Sequence, residues 1–375
     1  MTVASPRIQV ISTDFLNRRD PKGDFPVAAG SRLADLGNGE LLCSFVIQRR
    51  TGCNDFVPVL CRSRDGGKTW SDAQPVWPEL IDKHALFMNI SRGPDKQGRL
   101  HLFGIDAKVG VPGETNWKPA NNGLKDNCIC HATSRDGGRT WTKPVEVPKP
   151  TPGSAELPGA LCLTRSGQWI GTYSPYNNFD ESLKVEHNQL CCVRTSDEGK
   201  TWQGGTVMKW ADDADATAES WVVELPDGRL LAACWHVNYR QNIDHPNPYA
   251  MSLDGGRTWS APRAVGIAGQ TIAMAAMDDG RVLMVYNRRR QNPAGVCMAL
   301  LEPVGRDEVR VVEDTMVWQA TVKTQKGTGE AHGDWTNFAF GEPGVLPLPG
   351  GEALVALWCI QPEGQGIRQV RVRVR

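Results

Sequence analysis

What the chain lacks narrows it first. Its 375 residues carry no net charge, 42 Lys and Arg against 42 Asp and Glu, so no overall field draws it to nucleic acid or to an anionic membrane. Recognition must come from local clusters. No apolar run approaches the roughly 20 residues that a membrane helix needs. The start, Met1-Thr-Val-Ala-Ser-Pro-Arg-Ile, has neither the basic residues nor the apolar stretch of a secretory leader, and the expectation is a cytoplasmic location. Helical periodicity of useful length is missing throughout. Disulfides are not expected either. Eleven cysteines is an odd number, and Cys43, Cys61, Cys162, Cys234, Cys297 and Cys359 sit inside apolar, strand-like runs, as reduced core thiols do. The sequence Cys128-Ile-Cys130-His131 has no second ligand pair at zinc spacing, and strand alternation sends Ile129 to the face opposite its neighbours. Neither a metal nor a cofactor is expected.

What is there is repetition. Ser63-Arg-Asp-Gly-Gly-Lys-Thr-Trp70 returns as Ser134-Arg-Asp-Gly-Gly-Arg-Thr-Trp141 and Ser252-Leu-Asp-Gly-Gly-Arg-Thr-Trp259, with Thr195-Ser-Asp-Glu-Gly-Lys-Thr-Trp202 a looser fourth. The aspartate can accept hydrogen bonds from its own turn, the glycines permit positive φ, and the Trp packs underneath. Asp65, Asp136, Asp197 and Asp254 lie 71, 61 and 57 residues apart, a repeat architecture.

A second repeat interlocks with the first. An apolar strand, a Gly-containing turn and another apolar strand recur six times, around Gly39, Gly98, Gly167, Gly228, Gly280 and Gly351. Each of the first four units then carries its Asp motif 26 to 38 residues further on. The fifth keeps only a hairpin near Gly305. The sixth has room for two more strands, so Arg7-Ile-Gln-Val-Ile-Ser12 is expected to supply its missing outer strand. Six four-stranded antiparallel units account for residues 1–375 as one all-β domain, and closing them into a ring protects their edges.

The Ser-x-Asp-Gly-Gly-x-Thr-Trp motif resembles the Asp box of the sialidase (BNR-repeat) superfamily, and the likeness covers all six units. It implies a six-bladed β-propeller, with a site in the central channel and the Asp boxes at the periphery. Inner strands line such a channel. Nine positions before the marker glycines stand Gly30, Asn89, Glu219, Thr271 and Glu342, with Glu156 near the same place in unit three. Carboxylates at three of six strand entries are unusual, because gathering them in a cleft costs free energy.

Glu219-Ser-Trp-Val-Val-Glu resembles the sialidase segment whose first Glu partners the nucleophilic tyrosine. Arg49 and Asp55 match the spacing of the family's loop arginine and its aspartic acid/base. Departures set the chain apart from a standard sialidase. Of the three arginines that clamp a sialic carboxylate, the first has only Arg32 as its nearest candidate, the second Arg240, and the third Arg288, Arg289 or Arg290. Phe340-Gly-Glu342-Pro stands in place of the family's tyrosine. The resemblance therefore implies an exo-acting glycosidase that works with two carboxyl groups. Asp55 is expected as general acid and Glu219 as nucleophile or base, with Glu342 the rival for that second role. Arg32, Arg49, Glu156, Trp221, His236, Arg240, Arg288 and Trp335 are expected to bind a carbohydrate substrate, with Trp235 also near the channel mouth. His245 and His332 stand in loops on or near the same face. Two alternatives remain at this level. One is a non-catalytic propeller that binds carbohydrate or protein; the other is a uronide lyase using a His/Arg pair.

Overall fold

The computed structural model describes residues 7–94, 98–156, 159–327 and 332–375, with only the backbone for 332–334. The chain forms a six-bladed propeller of four-stranded antiparallel sheets. The inner strands are Val27–Gly37, His84–Arg92, Ser154–Glu156, Asp215–Glu224, Gln270–Ala276 and Phe340–Leu348. Each leads through its marker turn into the second strand of the same blade: Glu40–Gln48, Leu100–Lys108, Trp169–Tyr176, Leu230–Asn238, Val282–Arg288 and Glu352–Gln361. In the fifth blade, Gly295–Val304 and Glu308–Gln319 pair across the hairpin at Gly305.

The N-terminal strand Ile8–Arg18 pairs antiparallel with Gly364–Val374, from Ile8 opposite Val374 to Arg18 opposite Gly366. It supplies the outer strand of blade six, as the strand count anticipates. The ring meets between blades six and one, where Gly344 lies so close to the Ser31 carbonyl that a Cβ would sit 2.5 Å from it. Buried aliphatic and aromatic side chains fill the space between neighbouring blades. All eleven cysteines are free and nine are buried. Cys130 faces Met88, and Cys128 lies against the Asp106 carbonyl.

The four Asp turns share one hydrogen-bonding plan. The Asp65 carboxylate accepts from the Ser63 hydroxyl (2.8 Å), the Lys68 and Thr69 amides (3.0 and 2.9 Å) and the Thr69 hydroxyl (2.6 Å). Asp136, Asp197 and Asp254 do the same with their own threonines. These turns also fasten blade to blade. Arg62, paired with Glu40, reaches the Gly137 carbonyl in the second blade's turn. Arg99 forks onto Glu198 of the third, at 2.8 and 2.9 Å. Gln168 packs over Gly255 of the fourth. Arg229 donates to the carbonyls of Gly305 and Arg306 in the fifth blade's hairpin, at 2.8 and 3.0 Å. Arg281 donates to the Arg375 carbonyl beside blade six (2.8 Å). Arg371, held by Glu352, closes the circuit on Gly66 of the first.

The inner strands share a second feature, which positions the site. Blades one, four, five and six each carry a β-bulge at the same level, and there Gly30, Glu219, Thr271 and Glu342 take φ of 64°, 44°, 50° and 43°. Three of these four are not glycine. A bulge re-aims the side chain it carries and kinks the strand, so the channel wall turns inward at one level around the ring.

Candidate active site

At that level the early halves of the inner strands and the loops above them enclose a cavity of about 920 Å³, its open mouth included. Glu156, Glu219 and Glu342 line it together with Arg289. The side walls are apolar and aromatic: Phe56, Phe87, Tyr176, Trp117, Trp235, Trp335, Phe338 and Trp358. Gln48, Asn116, Thr51 and Thr271 add neutral polar groups. Gly30 is the place where blade one has no side chain to offer. A Cβ there would sit 2.0 Å from Cζ of Phe87, so the ring fills the space that a glutamate occupies in blades four and six.

Burial raises all three carboxyl groups above their ordinary range. Burial pushes Glu156 well above the usual carboxylate range, and repulsion from Glu219 adds to it. Burial and then repulsion from Glu342 raise Glu219 to about 8. Burial also raises Glu342, but Arg32, Arg289 and the Gly30 amide favour its ionised form. Glu156 Oε2 accepts the backbone N–H of Glu219 at 2.9 Å, which couples the bulge of blade four to blade three. One oxygen each of Glu219 and Glu342 is buried without a hydrogen-bond partner, available to a ligand.

Two buried guanidinium groups supply the counter-charge. Arg289 donates through Nε and Nη2 to the Phe340 carbonyl (3.0 and 2.7 Å) and lies 4.0 Å over the Phe338 ring. It fits because residue 341 is glycine: a Cβ there would come within 2.0 Å of the guanidinium. Arg32 donates to the carbonyls of Ser31 and Glu342, at 2.9 and 3.0 Å. It borders the channel beyond the bulges and does not line the cavity.

Of the residues expected from sequence, the structure therefore gathers Glu156, Glu219, Glu342, Trp235 and Trp335 around one cavity. It places others elsewhere. Trp221 follows the bulge and faces the far part of the channel with Arg32 and Glu224. That is a correction to its expected place at the mouth, and the two residues that the bulge at Glu219 leaves unpaired are the reason. Arg240 is exposed and bound to Asp212 and Asp213. Arg288 donates to the Asn292 carbonyl outside the cavity. His236 packs on Trp210 and His245, also outside the lining. The side chain of His332 lies outside the described residues.

Asp55 is 2% exposed and does not line the cavity. Its carboxylate pairs with Arg49 (2.8 Å), which also pairs with Asp82 and lies over the Phe25 ring. The loop that this pair steadies carries Thr51 and Gly52 to the cavity wall, and the Thr51 hydroxyl donates to the Thr336 carbonyl.

Sequence reasoning named Arg289 only as one of three adjacent arginines, and did not find Tyr176, Trp117 or Trp358. Register could have found the last. Trp358 stands opposite Gly341 and Trp235 opposite Ala218, each across from the residue that precedes a bulge glutamate.

A model of the BNR repeat-like domain family matches residues 39–332. A sialidase of Bacteroides fragilis is 24% identical over 256 residues, which cover 61% of this chain and 43% of that protein. The chain spans less than half the length of the curated sialidases it matches. Among solved structures, a protein of unknown function from Dyadobacter fermentans superposes with a TM-score of 0.73 at 19% identity, covering 99% of this chain and all of that one. An α-L-arabinanase of Penicillium chrysogenum, complexed with arabinobiose, superposes with a TM-score of 0.60 at 15% identity over 97% and 98% of the two chains.

Proposed function

We propose that this chain, which belongs to the BNR repeat-like domain family, is a glycoside hydrolase that removes an uncharged sugar from the end of a glycan. The observation that carries the reading is the set of three glutamates, Glu156, Glu219 and Glu342, recessed together in one aromatic-walled cavity. Hydrolysis of a glycosidic bond needs one carboxylic acid that still holds its proton and one carboxylate that does not. Glu219, raised to about 8, keeps its proton at neutral pH and serves as the general acid. Glu342, with two guanidinium groups favouring its charge, serves as the nucleophile or the water-activating base. Glu156 holds the Glu219 backbone N–H and so fixes the bulge that aims the Glu219 side chain. The tryptophans offer stacking faces for apolar sugar surfaces.

An uncharged sugar fits better than a sialoside or uronide. A substrate carboxylate would face three glutamates, and the guanidinium groups nearby already donate to main-chain carbonyls. Among the described residues no histidine lines the cavity, which weighs against elimination by a His/Arg pair. The cavity is recessed, which suits attack at a chain end.

The test is a screen of aryl glycosides and natural oligosaccharides that includes neutral sugars, sialosides and uronides. Turnover of a neutral glycoside, lost about 10²–10⁴-fold in Glu219→Gln with KM little changed, is the expected result. Glycan binding without cleavage, unaltered by Glu219→Gln, would make this a binding propeller instead.

A further inference from the structure

At the rim of blade four, outside the carboxylate cavity, three potential metal ligands converge. We propose that Asp215, His236 and His245 bind one divalent transition-metal ion of the zinc class. The ligands come from three adjacent strands. Asp215 opens the inner strand, His236 lies on the second strand, and His245 ends the short strand Ile243–His245, directly opposite His236. Nε2 of His236 lies 3.4 Å from Asp215 Oδ1, Nε2 of His245 lies 3.6 Å from the same oxygen, and the ligand atoms are all within 4.8 Å of one another.

The two imidazole-to-carboxylate separations suit a shared ion. Tetrahedral ligands held about 2.0–2.2 Å from zinc stand about 3.3–3.6 Å apart. Nε2 of His236 is buried and has no hydrogen-bond partner, on a side chain only 8% exposed. The His236 ring is fixed between Trp210 and His245, with centroids 4.4 and 4.6 Å away. Asn238 Nδ2 donates to Asp215 Oδ1 at 2.9 Å, an outer-sphere contact that orients the carboxylate. The His245 side chain is one-third exposed, which leaves a solvent path and an open coordination position.

The donor set of two imidazoles and one carboxylate suits zinc, cobalt or iron(II) and excludes a preference for calcium or magnesium. Sequence spacing hid it, because the aspartate precedes the first histidine by 21 residues and no short motif joins them. The ion would bind the inner, second and inserted strands of blade four together beside Trp235, whose Nε1 donates to Asp244 next to His245 (2.9 Å). It would thus brace one aromatic wall of the cavity. The site stands whether or not the chain is a hydrolase.

Chelator-treated protein titrated with Co²⁺ and then Zn²⁺, read by calorimetry and visible absorption, tests it. The expected result is one Co²⁺ per chain with d–d bands of a nitrogen and oxygen site and no thiolate-to-cobalt charge transfer, displaced by Zn²⁺. Zn²⁺ is also expected to raise Tm, and His245→Ala, at a partly exposed position, to abolish the spectrum and the rise. Asp215→Asn provides a second ligand variant should His245→Ala fail to fold. Absence of stoichiometric binding, a thiolate band, or a spectrum that survives either substitution would overturn the proposal.

Discussion

At the scale of single residues, the unusual choice is to place glutamate where the backbone favours glycine. Glu219 and Glu342 sit at φ of 44° and 43°, a left-handed conformation that costs about 1–3 kcal/mol each and persists where the surroundings dictate it. The positions nine before each marker glycine were readable, because the turn repeat fixes strand register and a bulge does not disturb a count made along one chain. What lay across the channel was not readable. Arg289 and Trp358 reach the cavity through pairing with a neighbouring blade or strand, while Arg240, Arg288 and Trp221 look equally placed in sequence and point elsewhere. Asp55 separates two roles. If it only steadies the cavity loop through Arg49, Asp55→Asn should lower kcat about tenfold or less, against the 10²–10⁴-fold loss expected of an acid or base. Side-by-side kinetics of Asp55→Asn, Glu219→Gln and Glu342→Gln decide between them. Gly341→Ala should act through charge. Displacing Arg289 removes a cation that lowers the carboxyls of both Glu219 and Glu342, so both limbs of the kcat/KM profile should move to higher pH. An unmoved profile would mean that Arg289 does not govern the pair.

At the scale of elements, the Asp turn does more than mark the fold. Around the ring, the residue after each marker glycine, or the arginine it pairs with, reaches to the outer turn, hairpin or chain end of the next blade. The turn itself was legible because its aspartate, glycines and threonine are all used within eight residues. The staple was not legible, since the residue after the marker glycine varies among Glu40, Arg99, Gln168, Arg229, Arg281 and Glu352, the two glutamates act only through Arg62 and Arg371, and the acceptor is usually a backbone carbonyl, which leaves no mark in sequence. Arg229→Ala should therefore destabilise the fold although it touches nothing catalytic. Two charge-assisted bonds to the carbonyls of Gly305 and Arg306 suggest a loss of about 1.5–3 kcal/mol. A lower urea midpoint at unchanged m value, with unchanged turnover, is the expected measurement. A midpoint equal to the parent would show that the staple is only a surface contact.

At the scale of the whole molecule, the ring is held at its edge by acids with depressed pKa and strained at its centre by acids with raised pKa, and the two populations act at opposite ends of the pH scale. Hydrogen bonds, from Thr69 first, hold Asp65 below its usual range, and Asp136 and Asp197 are lowered by their threonines in the same way. Below about pH 4 the unfolded chain binds more protons than the folded one at these sites, so stability is lost as pH falls. Glu156 and Glu219 are the reverse case. Their folded values lie above the ordinary 4.5, Glu219 at about 8, so between those limits the folded chain holds the extra protons and stability declines as pH rises. The two effects together predict a Tm maximum near about pH 5 rather than at neutrality, with a falling limb through about pH 8. Glu219→Gln and Glu156→Gln, which cannot ionise, should flatten that falling limb while leaving the acid limb unchanged. Asp65→Asn should lower Tm above about pH 4 and soften only the acid limb. Melting curves across pH 3–9 for the parent and these variants make the comparison directly. A parent curve level from pH 5 to 8, or glutamine variants that run parallel to it, would show that the central carboxyls ionise normally, and the assignment of Glu219 as a proton-bearing acid would fall with them.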